Sequence, residues 1–184
     1  EPTEIQEKTI PLILKGKDVI AGAATGSGKT LAFASGIIET AEKGKGIQAV
    51  ILTPTRELAE QVSDTFQRFS KHKHLEITAI YGGVSINPQI DKLGYVDIVV
   101  GTPGRMLDHI NRRTIDLDNV KVLVLDEADR MLDMGFLPDV EQIVQYASAR
   151  EQTMLFSATM PPEIRRLSQR YMKDVVRIDA SPPA

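Results

Sequence analysis

Two patterns of apolar residues alternate along this 184-residue chain. Short, continuous apolar runs are typical of strands buried on both faces, and apolar residues that recur every three or four positions are typical of helices. The predicted strands are 18–21, 47–53, 75–81, 97–101, 122–125, 153–157 and 175–178. The predicted helices are 31–41, 56–71, a short one between 81 and 97, 103–113, a region reaching 149 with an interruption near Gly135, and 162–173. This alternation predicts a three-layer α/β fold, with a mostly parallel central sheet and helices on both faces.

An acidic cluster follows one of these predicted strands. The apolar run 122–125 ends directly in Asp126, Glu127, Ala128 and Asp129. Ligands of open α/β sheets bind just beyond the carboxyl ends of the strands. Three carboxylates at that place would repel one another unless a cation were present, and a hydrated divalent metal is the usual one. The segment is therefore a candidate metal and phosphate site, and an acidic strand end without a metal is the alternative.

A glycine-rich segment favours the metal and phosphate interpretation. Residues 23–30 read AATGSGKT and lie between a predicted strand and a predicted helix. Gly26 and Gly28 allow a tight turn that exposes successive backbone N–H groups to an anion. The N-terminus of the following helix adds partial positive charge at the same place.

The side chains after this turn fit the same chemistry. Lys29 can reach the β- and γ-phosphates of a nucleotide, and the Thr30 hydroxyl can ligate Mg²⁺. The strict phosphate-loop pattern begins with Gly where this chain has Ala23, and a glycine-rich turn with an incidental Lys is the alternative. Together with the acidic cluster, the segment predicts that the chain binds a nucleoside triphosphate with Mg²⁺.

Composition narrows the class of protein. With 42% hydrophobic residues, the chain can bury a core without cross-links. The absence of cysteine excludes disulfides and thiolate metal sites and favours a reducing compartment such as the cytoplasm. No apolar run approaches the roughly 18 residues that span a membrane. The net charge of −3 is not the basic balance of a dedicated nucleic-acid-binding domain, so any such contact is expected to be local.

Four short motifs fall where predicted strands end. They are PTRELA at 54–59, the pair Gly82 and Gly83, TPGR at 102–105, and SAT at 157–159. Taken singly, each is explained as a helix cap or a turn. Their common position at strand ends is what allows a shared function.

In this order, the motifs resemble those of the first domain of the DEAD-box RNA helicases, whose tetrad stands here as residues 126–129. The extended segment 126–136, DEADRMLDMGF, is also typical of that family, and PTEIQ at 2–6 resembles its adenine-reading glutamine motif. The resemblance covers essentially the whole chain. It implies one RecA-like P-loop NTPase domain over 1–184, which begins inside the glutamine motif and ends at 181–184, where a linker to a second helicase domain would start.

The resemblance also implies a role for each motif. Asp126, through water, and Thr30 would hold Mg²⁺, and Glu127 would position and deprotonate the attacking water, with Lys29 and Asp126 in the same catalytic group. The nucleotide would be bound by Gln6, which would read adenine, and by Ala23, Ala24, Thr25, Gly26, Ser27, Gly28, Lys29 and Thr30. Ser157 and Thr159 would hydrogen-bond toward Asp129, and these three residues would couple the nucleotide site to RNA. Sugar and phosphate contacts would come from Pro54, Thr55, Arg56, Gly82, Gly83, Thr102, Pro103, Gly104 and Arg105.

The implied activity is Mg²⁺-dependent ATP hydrolysis coupled to sequence-independent RNA binding and local unwinding. The expected partners are RNA and a second RecA-like domain of the same protein, and a monomer is expected. The chain carries the motifs of one domain, so by itself we expect it to bind ATP or ADP but to hydrolyse ATP poorly, because an arginine finger from elsewhere contributes about 10³–10⁵ in rate. Two alternatives stay open: an ATP-gated clamp that holds RNA without unwinding it, and a P-loop motor that acts on DNA.

Overall fold

The structure, a computed structural model, describes residues 3–23 and 28–179. Its helices are α1 Glu4–Leu14, α2 Lys29–Thr40, α3 Arg56–Phe69, α4 Asn87–Leu93, α5 Pro103–Arg112, α6 Ala128–Asp133, α7 Leu137–Tyr146 and α8 Pro162–Tyr171, with a short 3-10 helix at Lys71–Lys73. Its strands are β1 Val19–Gly22, β2 Ala49–Leu52, β3 Ile77–Ile80, β4 Ile98–Gly101, β5 Val122–Leu125, β6 Gln152–Phe156 and β7 Val176–Asp179.

The strands form a single sheet in the order β3-β4-β2-β5-β6-β1-β7. Every strand pair in the described residues is parallel, so the predicted mostly parallel sheet is confirmed and is parallel throughout. In the centre of the sheet, Val50 of β2 lies opposite Val99 of β4 on one side and Leu123 of β5 on the other. All seven carboxyl ends therefore lie along one edge of the sheet.

Two apolar clusters, one on each face of the sheet, produce the three layers. Val124 packs into the cluster that also receives α1, α2 and α3. Its neighbours Leu123 and Leu125 pack into the other cluster, with α4 to α8. Because successive side chains of a strand point to opposite faces, a continuous apolar run such as 122–125 supplies both cores. The predicted helices on both faces are confirmed.

The element bounds differ from the predicted ones by up to three residues. The predicted strand 153–157 begins one residue earlier, at Gln152, a polar residue that pairs with Val122. Its buried amide donates hydrogen bonds to the carbonyls of Ile13 at 3.2 Å and Lys17 at 2.7 Å. A polar residue that finds its partners in a distant helix and loop cannot be assigned to a strand by hydrophobicity alone. The predicted break near Gly135, whose φ is 80°, is confirmed as the gap between α6 and α7.

The topology produces a crevice at the carboxyl edge. The chain leaves β1 through α2, on one face, and next enters the sheet at β2, on the far side of β6 and β5. After β5 the chain runs through α6 and α7, on the other face, to the neighbouring strand β6. This connection crosses the sheet in the direction opposite to that from β1 to β2. Connections that diverge in this way leave open the position where open α/β sheets bind ligands. Over residues 3–23 and 28–179, no helix combines the length and apolar character needed to cross a bilayer.

Candidate functional site

Three buried charged side chains meet in this crevice. Lys29 is the first residue of α2, and Asp126 and Glu127 follow β5 directly. The Lys29 ammonium lies 3.0 Å from Asp126 Oδ1 and 3.0 Å from Glu127 Oε2. Only 5%, 1% and 8% of Lys29, Asp126 and Glu127 respectively is exposed, so the cluster holds one positive and two negative charges with little water.

Asp126 is the least satisfied member of the cluster. Its backbone N–H continues the sheet ladder by donating to the carbonyl of Leu52 at 2.9 Å. Burial raises the pKa of its carboxyl group, and the nearby Lys29 charge opposes that rise only in part. Although Lys29 lies at ion-pair distance, its direction of approach leaves Oδ1 of Asp126 buried without a hydrogen-bond donor. This oxygen is suited to a hydrated cation.

The residues present fit Mg²⁺ bound together with a nucleotide. Among the described residues, no three His, Asp or Glu side chains group into a metal cage. Mg²⁺ does not require one, because it keeps several waters and usually takes one or two protein ligands in addition to phosphate oxygens. Asp126 Oδ1 and the partly buried Thr30 are the candidate ligands. The remaining predicted loop residues, Ala24, Thr25, Gly26 and Ser27, lie outside the described residues.

Gln6 reaches the same site from α1. Thr3 caps this helix, and Gln6 accepts a hydrogen bond from the Thr3 N–H at 3.2 Å and donates one to the Gly28 carbonyl at 3.1 Å. Gly28 has φ of 87°, and a Cβ there would come within 2.9 Å of the Gln6 amide nitrogen. These bonds leave the amide one N–H and one lone pair, the pair that an adenine edge requires. Gln6 is buried, so its amide is held among these partners and does not lie in solvent. Ala23, before the undescribed segment, is also buried.

The backbone of Glu127 adopts a left-handed conformation, with φ 53° and ψ 53°, at the start of α6. A non-glycine residue in this region costs about 1–2 kcal/mol. This backbone conformation directs the Glu127 carboxylate, whose Oε2 contacts Lys29 and whose Oε1 lies 3.7 Å from Arg130. Neither the strain nor these contacts could be inferred from the apolar and acidic pattern.

Asp129 joins the acidic cluster to the end of β6. Its Oδ2 accepts hydrogen bonds from the Thr159 backbone N–H at 3.1 Å and from the Thr159 hydroxyl at 2.9 Å. Its own N–H donates to Ser157 Oγ at 3.1 Å, and that hydroxyl donates to the Thr159 carbonyl at 2.7 Å. The predicted hydrogen bonds among these three residues are therefore present. A coupling role for them stays a prediction.

The other predicted contact residues lie beside this site, after β2, β3 and β4, which are adjacent in the sheet. Gly82, Gly83 and Gly104 are exposed, whereas Pro54 and Pro103 are buried and can contribute only through the shape of their backbones. Thr55 caps α3 by accepting from the Leu58 N–H at 3.2 Å, and Thr102 is the residue before α5.

Of the two arginines among the predicted sugar and phosphate contacts, Arg56 has the more exposed side chain. Its guanidinium lies 4.6 Å from the ring centroid of Tyr81, and its Nε donates to Glu60 Oε1 at 3.2 Å. The Tyr81 hydroxyl donates to the same Glu60 oxygen at 2.8 Å, and this hydrogen bond is the main reason that the pKa of Tyr81 is raised. Tyr81 and Glu60 thus hold Arg56 in one orientation. Sequence analysis did not identify either residue, and no motif marks them.

Sequence analysis also missed a buried network centred on Gln89 of α4. Its amide nitrogen donates to the Tyr81 carbonyl at 3.0 Å, and its oxygen lies 3.1 Å from Arg105 Nη1 and 2.9 Å from His109 Nε2. Arg105 Nη2 also donates to the Val84 carbonyl at 3.0 Å. The network joins the glycine pair to α5, and isolated Gln and His residues in helices give no signal of it.

Burial lowers the pKa of His109 below its usual 6.5, and the charges of Arg105 and Arg112 lower it further, while Asp108 opposes them. Below pH 6.5 the unfolded chain therefore takes up a proton that the folded chain resists. We expect folding stability to fall as the pH is lowered through 6.5 towards the folded-state pKa, with a slope approaching about 1.4 kcal/mol per pH unit from this group.

Urea unfolding at pH 7.5 and 5.5 tests this expectation. A His109→Asn variant should lose stability at pH 7.5 but show a smaller further loss at pH 5.5. The matched variant His72→Asn, at an exposed position, should keep the wild-type pH dependence. Equal pH dependence in the wild type and His109→Asn would contradict the expectation.

Comparison with known proteins agrees with this geometry. The family model described as DEAD/DEAH box helicase matches residues 3–167. The chain is 53% identical over 184 residues to ATP-dependent RNA helicase CshA of Limosilactobacillus reuteri, covering 98% of this chain and 37% of that protein. It is also 53% identical to a probable ATP-dependent RNA helicase of Methanocaldococcus jannaschii, covering 98% of this chain and 49% of that protein.

Solved structures show the same fold. A DEAD box protein from Methanococcus jannaschii superposes with a TM-score of 0.95 at 53% identity, over 98% of this chain and 50% of that one. A hypothetical ATP-dependent RNA helicase from Sulfolobus tokodaii gives 0.91 at 41% identity, over 96% of this chain and 52% of that one. The predicted RecA-like fold is confirmed. The chain spans about a third to a half of the length of these relatives.

Proposed function

Because the chain belongs to the DEAD/DEAH box helicase family, we propose that it is the ATP-binding domain of an ATP-dependent RNA helicase. The observation that carries the proposal is the buried cluster of Lys29, Asp126 and Glu127 at the carboxyl ends of β1 and β5. The relatives named as ATP-dependent RNA helicases support the substrates, ATP and RNA.

In the proposed reaction, each member of the cluster has its own task. Lys29 would bind the nucleotide phosphates, and Asp126 and Thr30 would hold Mg²⁺, which would neutralise charge on the phosphates. Glu127 Oε orients a water in line with the γ-phosphate and accepts its proton. The products are ADP and inorganic phosphate. Gln6 selects adenine through the N–H and the lone pair that its internal bonds leave.

RNA binding is proposed for the adjoining ends of β2, β3 and β4. Exposed glycines and helix starts offer backbone N–H groups to phosphates, and such contacts carry no sequence information. Asp129, Ser157 and Thr159 would transmit the state of the nucleotide to that surface. We also propose that a second RecA-like domain of the same protein completes both sites, and that the protein acts as a monomer in the cytoplasm, where ATP and RNA are both abundant.

ATP turnover with and without single-stranded RNA tests the proposal. We expect slow turnover by the 184-residue chain, and RNA-stimulated turnover about 10³–10⁵-fold faster when the chain is joined to the half of the M. jannaschii relative that it does not match. Equal stimulation by DNA of the same sequence would favour a DNA motor, since RNA selectivity depends on the 2′-OH. RNA-stimulated turnover without strand displacement would favour the RNA clamp, and fast turnover by the 184-residue chain would contradict the proposed need for a second domain.

A further inference from the structure

We propose that Gln89, Arg105 and His109 form a buried brace that positions the RNA-binding surface, and that Arg105 acts from beneath this surface instead of binding phosphate. The inference rests on the proposed function, because it takes the segments after β3 and β4 to be RNA contacts. It assigns positioning roles to Gln89 and His109, which no motif identified, and it changes the role expected for Arg105.

The orientation of the Gln89 amide is fixed by its neighbours. Its nitrogen faces the carbonyl of Tyr81, which can only accept, and its oxygen faces the guanidinium of Arg105, which can only donate. A flipped amide would lose both bonds. The amide oxygen requires a donor from His109 Nε2, which places the proton of the neutral ring on Nε2 and leaves Nδ1, 2.8 Å from Thr114 Oγ1, as an acceptor.

The brace holds both sides of the glycine pair. Gln89 donates to the Tyr81 carbonyl and Arg105 to the Val84 carbonyl, and these two carbonyls enclose Gly82 and Gly83. The glycines are exposed, a Cβ on either would contact nothing within 4 Å, and Gly83 has φ of 82°. A turn without side chains has no means of its own to select one conformation, so the bonds from below select it.

Arg105 is committed to this internal role. Only 12% of its side chain is exposed, against 49% for Arg56 on the same surface. Its two terminal nitrogens donate to Gln89 and to the Val84 carbonyl, and its Nε is buried without a hydrogen-bond partner, 3.6 Å from Asp108. A guanidinium that binds phosphate needs donors that are exposed at the surface. Arg56 has that exposure and Arg105 does not.

The test of the brace uses the chain joined to the half of the M. jannaschii relative that it does not match, and measures its affinity for a single-stranded oligouridine by fluorescence anisotropy. Gln89→Met removes all three bonds and should weaken RNA affinity about tenfold, while calorimetric ADP affinity stays within about twofold. Gln89→Glu keeps the oxygen that accepts from Arg105 and His109 but loses the donor to Tyr81. Its RNA affinity should lie between those of the wild type and Gln89→Met. Gln142→Met, at an exposed position of α7, is the matched control and should match the wild type.

The salt dependence of RNA affinity separates positioning from phosphate binding at Arg105. Loss of one phosphate contact lowers the slope of log affinity against log salt by about 0.7 on a single strand. Lysine keeps the positive charge of arginine but cannot make the two hydrogen bonds that the planar guanidinium directs to different acceptors. We expect Arg105→Lys to weaken binding nearly as much as Arg105→Met, with the wild-type slope in both. A reduced slope for Arg105→Met with near-normal binding by Arg105→Lys would overturn the assignment.

The same measurements distinguish failure of the brace from failure of the proposed function. No RNA binding by the wild type would contradict both. If the wild type binds RNA and Gln89→Met binds it equally well, or loses RNA and ADP affinity to the same extent, the brace alone is overturned.

Discussion

In the chain joined to the unmatched half of the M. jannaschii relative, replacing Glu127 with Gln is expected to lower ATP turnover about 10²–10⁴-fold and to change nucleotide affinity little. The amide keeps the size of the side chain and an oxygen that can still accept from Lys29, 3.0 Å away in the wild type. It cannot take a proton from the attacking water. The variant therefore removes the proton acceptor and leaves the buried shape intact.

Single-turnover release of phosphate measures the chemical step, and calorimetry with ADP measures binding. Glu39→Gln, at an exposed position at the end of α2, is the matched control and should turn over ATP at the wild-type rate. If Glu127→Gln turned over ATP at the wild-type rate, Glu127 would not be the group that accepts the proton. An equal loss of turnover and of ADP affinity would instead show that Glu127 acts mainly by holding Lys29.

Replacing Lys29 with Met is expected to destabilise the protein without nucleotide by about 3–5 kcal/mol at neutral pH. The substitution leaves the carboxylates of Asp126 and Glu127 buried and without their shared cation. It should also abolish measurable nucleotide binding, since the same ammonium is proposed to bind phosphate. Few single substitutions of this chain remove so much charge compensation at once.

The loss of stability should shrink as the pH is lowered from 8 towards the folded-state pKa of Asp126 in the variant. Burial already raises the pKa of Asp126 above its usual 3.8, and Lys29 opposes that rise, so removing Lys29 raises this pKa further. A group whose folded-state pKa is raised stabilises the fold at low pH, and that stabilisation is lost as the pH rises through the folded-state pKa. Below it, Asp126 is protonated in the folded variant and the unpaired charge disappears.

Urea unfolding of two further variants controls for this effect. Lys8→Met breaks an exposed ion pair with Glu4 and should change stability by less than about 1 kcal/mol at any pH in this range. The double variant Lys29→Met with Glu127→Gln removes one buried charge and should recover part of the loss. A Lys29→Met deficit that does not change with pH would contradict the electrostatic explanation.

The positions of the proposed nucleotide-binding residues could be predicted because they depend on local sequence. An apolar run that ends in carboxylates, and a glycine-rich turn between a strand and a helix, each locate a site at the end of a strand. The structure confirms β1 and α2 on either side of the turn, and β5 before Asp126. The hydrogen bonds of Asp129 with Ser157 and Thr159 were predicted only through the family resemblance, since the two segments are 28–30 residues apart.

The contacts of Gln6 and Gln89 could not be predicted from local sequence. Gln6 is 22 residues from Gly28, the carbonyl to which it donates, and Gln89 is 16 and 20 residues from Arg105 and His109. A glutamine in a helix has no hydrophobic pattern that shows where its amide finds partners. Gln6 was identified by resemblance, and Gln89 had no such support.

By itself, the sequence determined which segments become strands and helices, which face of each is apolar, and which strand ends carry polar chemistry. These properties are local, because they follow from the period of the apolar residues and from the turns between them. Only the tertiary structure decided the strand order, which places the ends of β1, β5 and β6 together and the ends of β3, β4 and β2 beside them. It also decided that Arg105 points inward and Arg56 outward. Such choices depend on hydrogen bonds and packing between distant segments, which no local pattern contains.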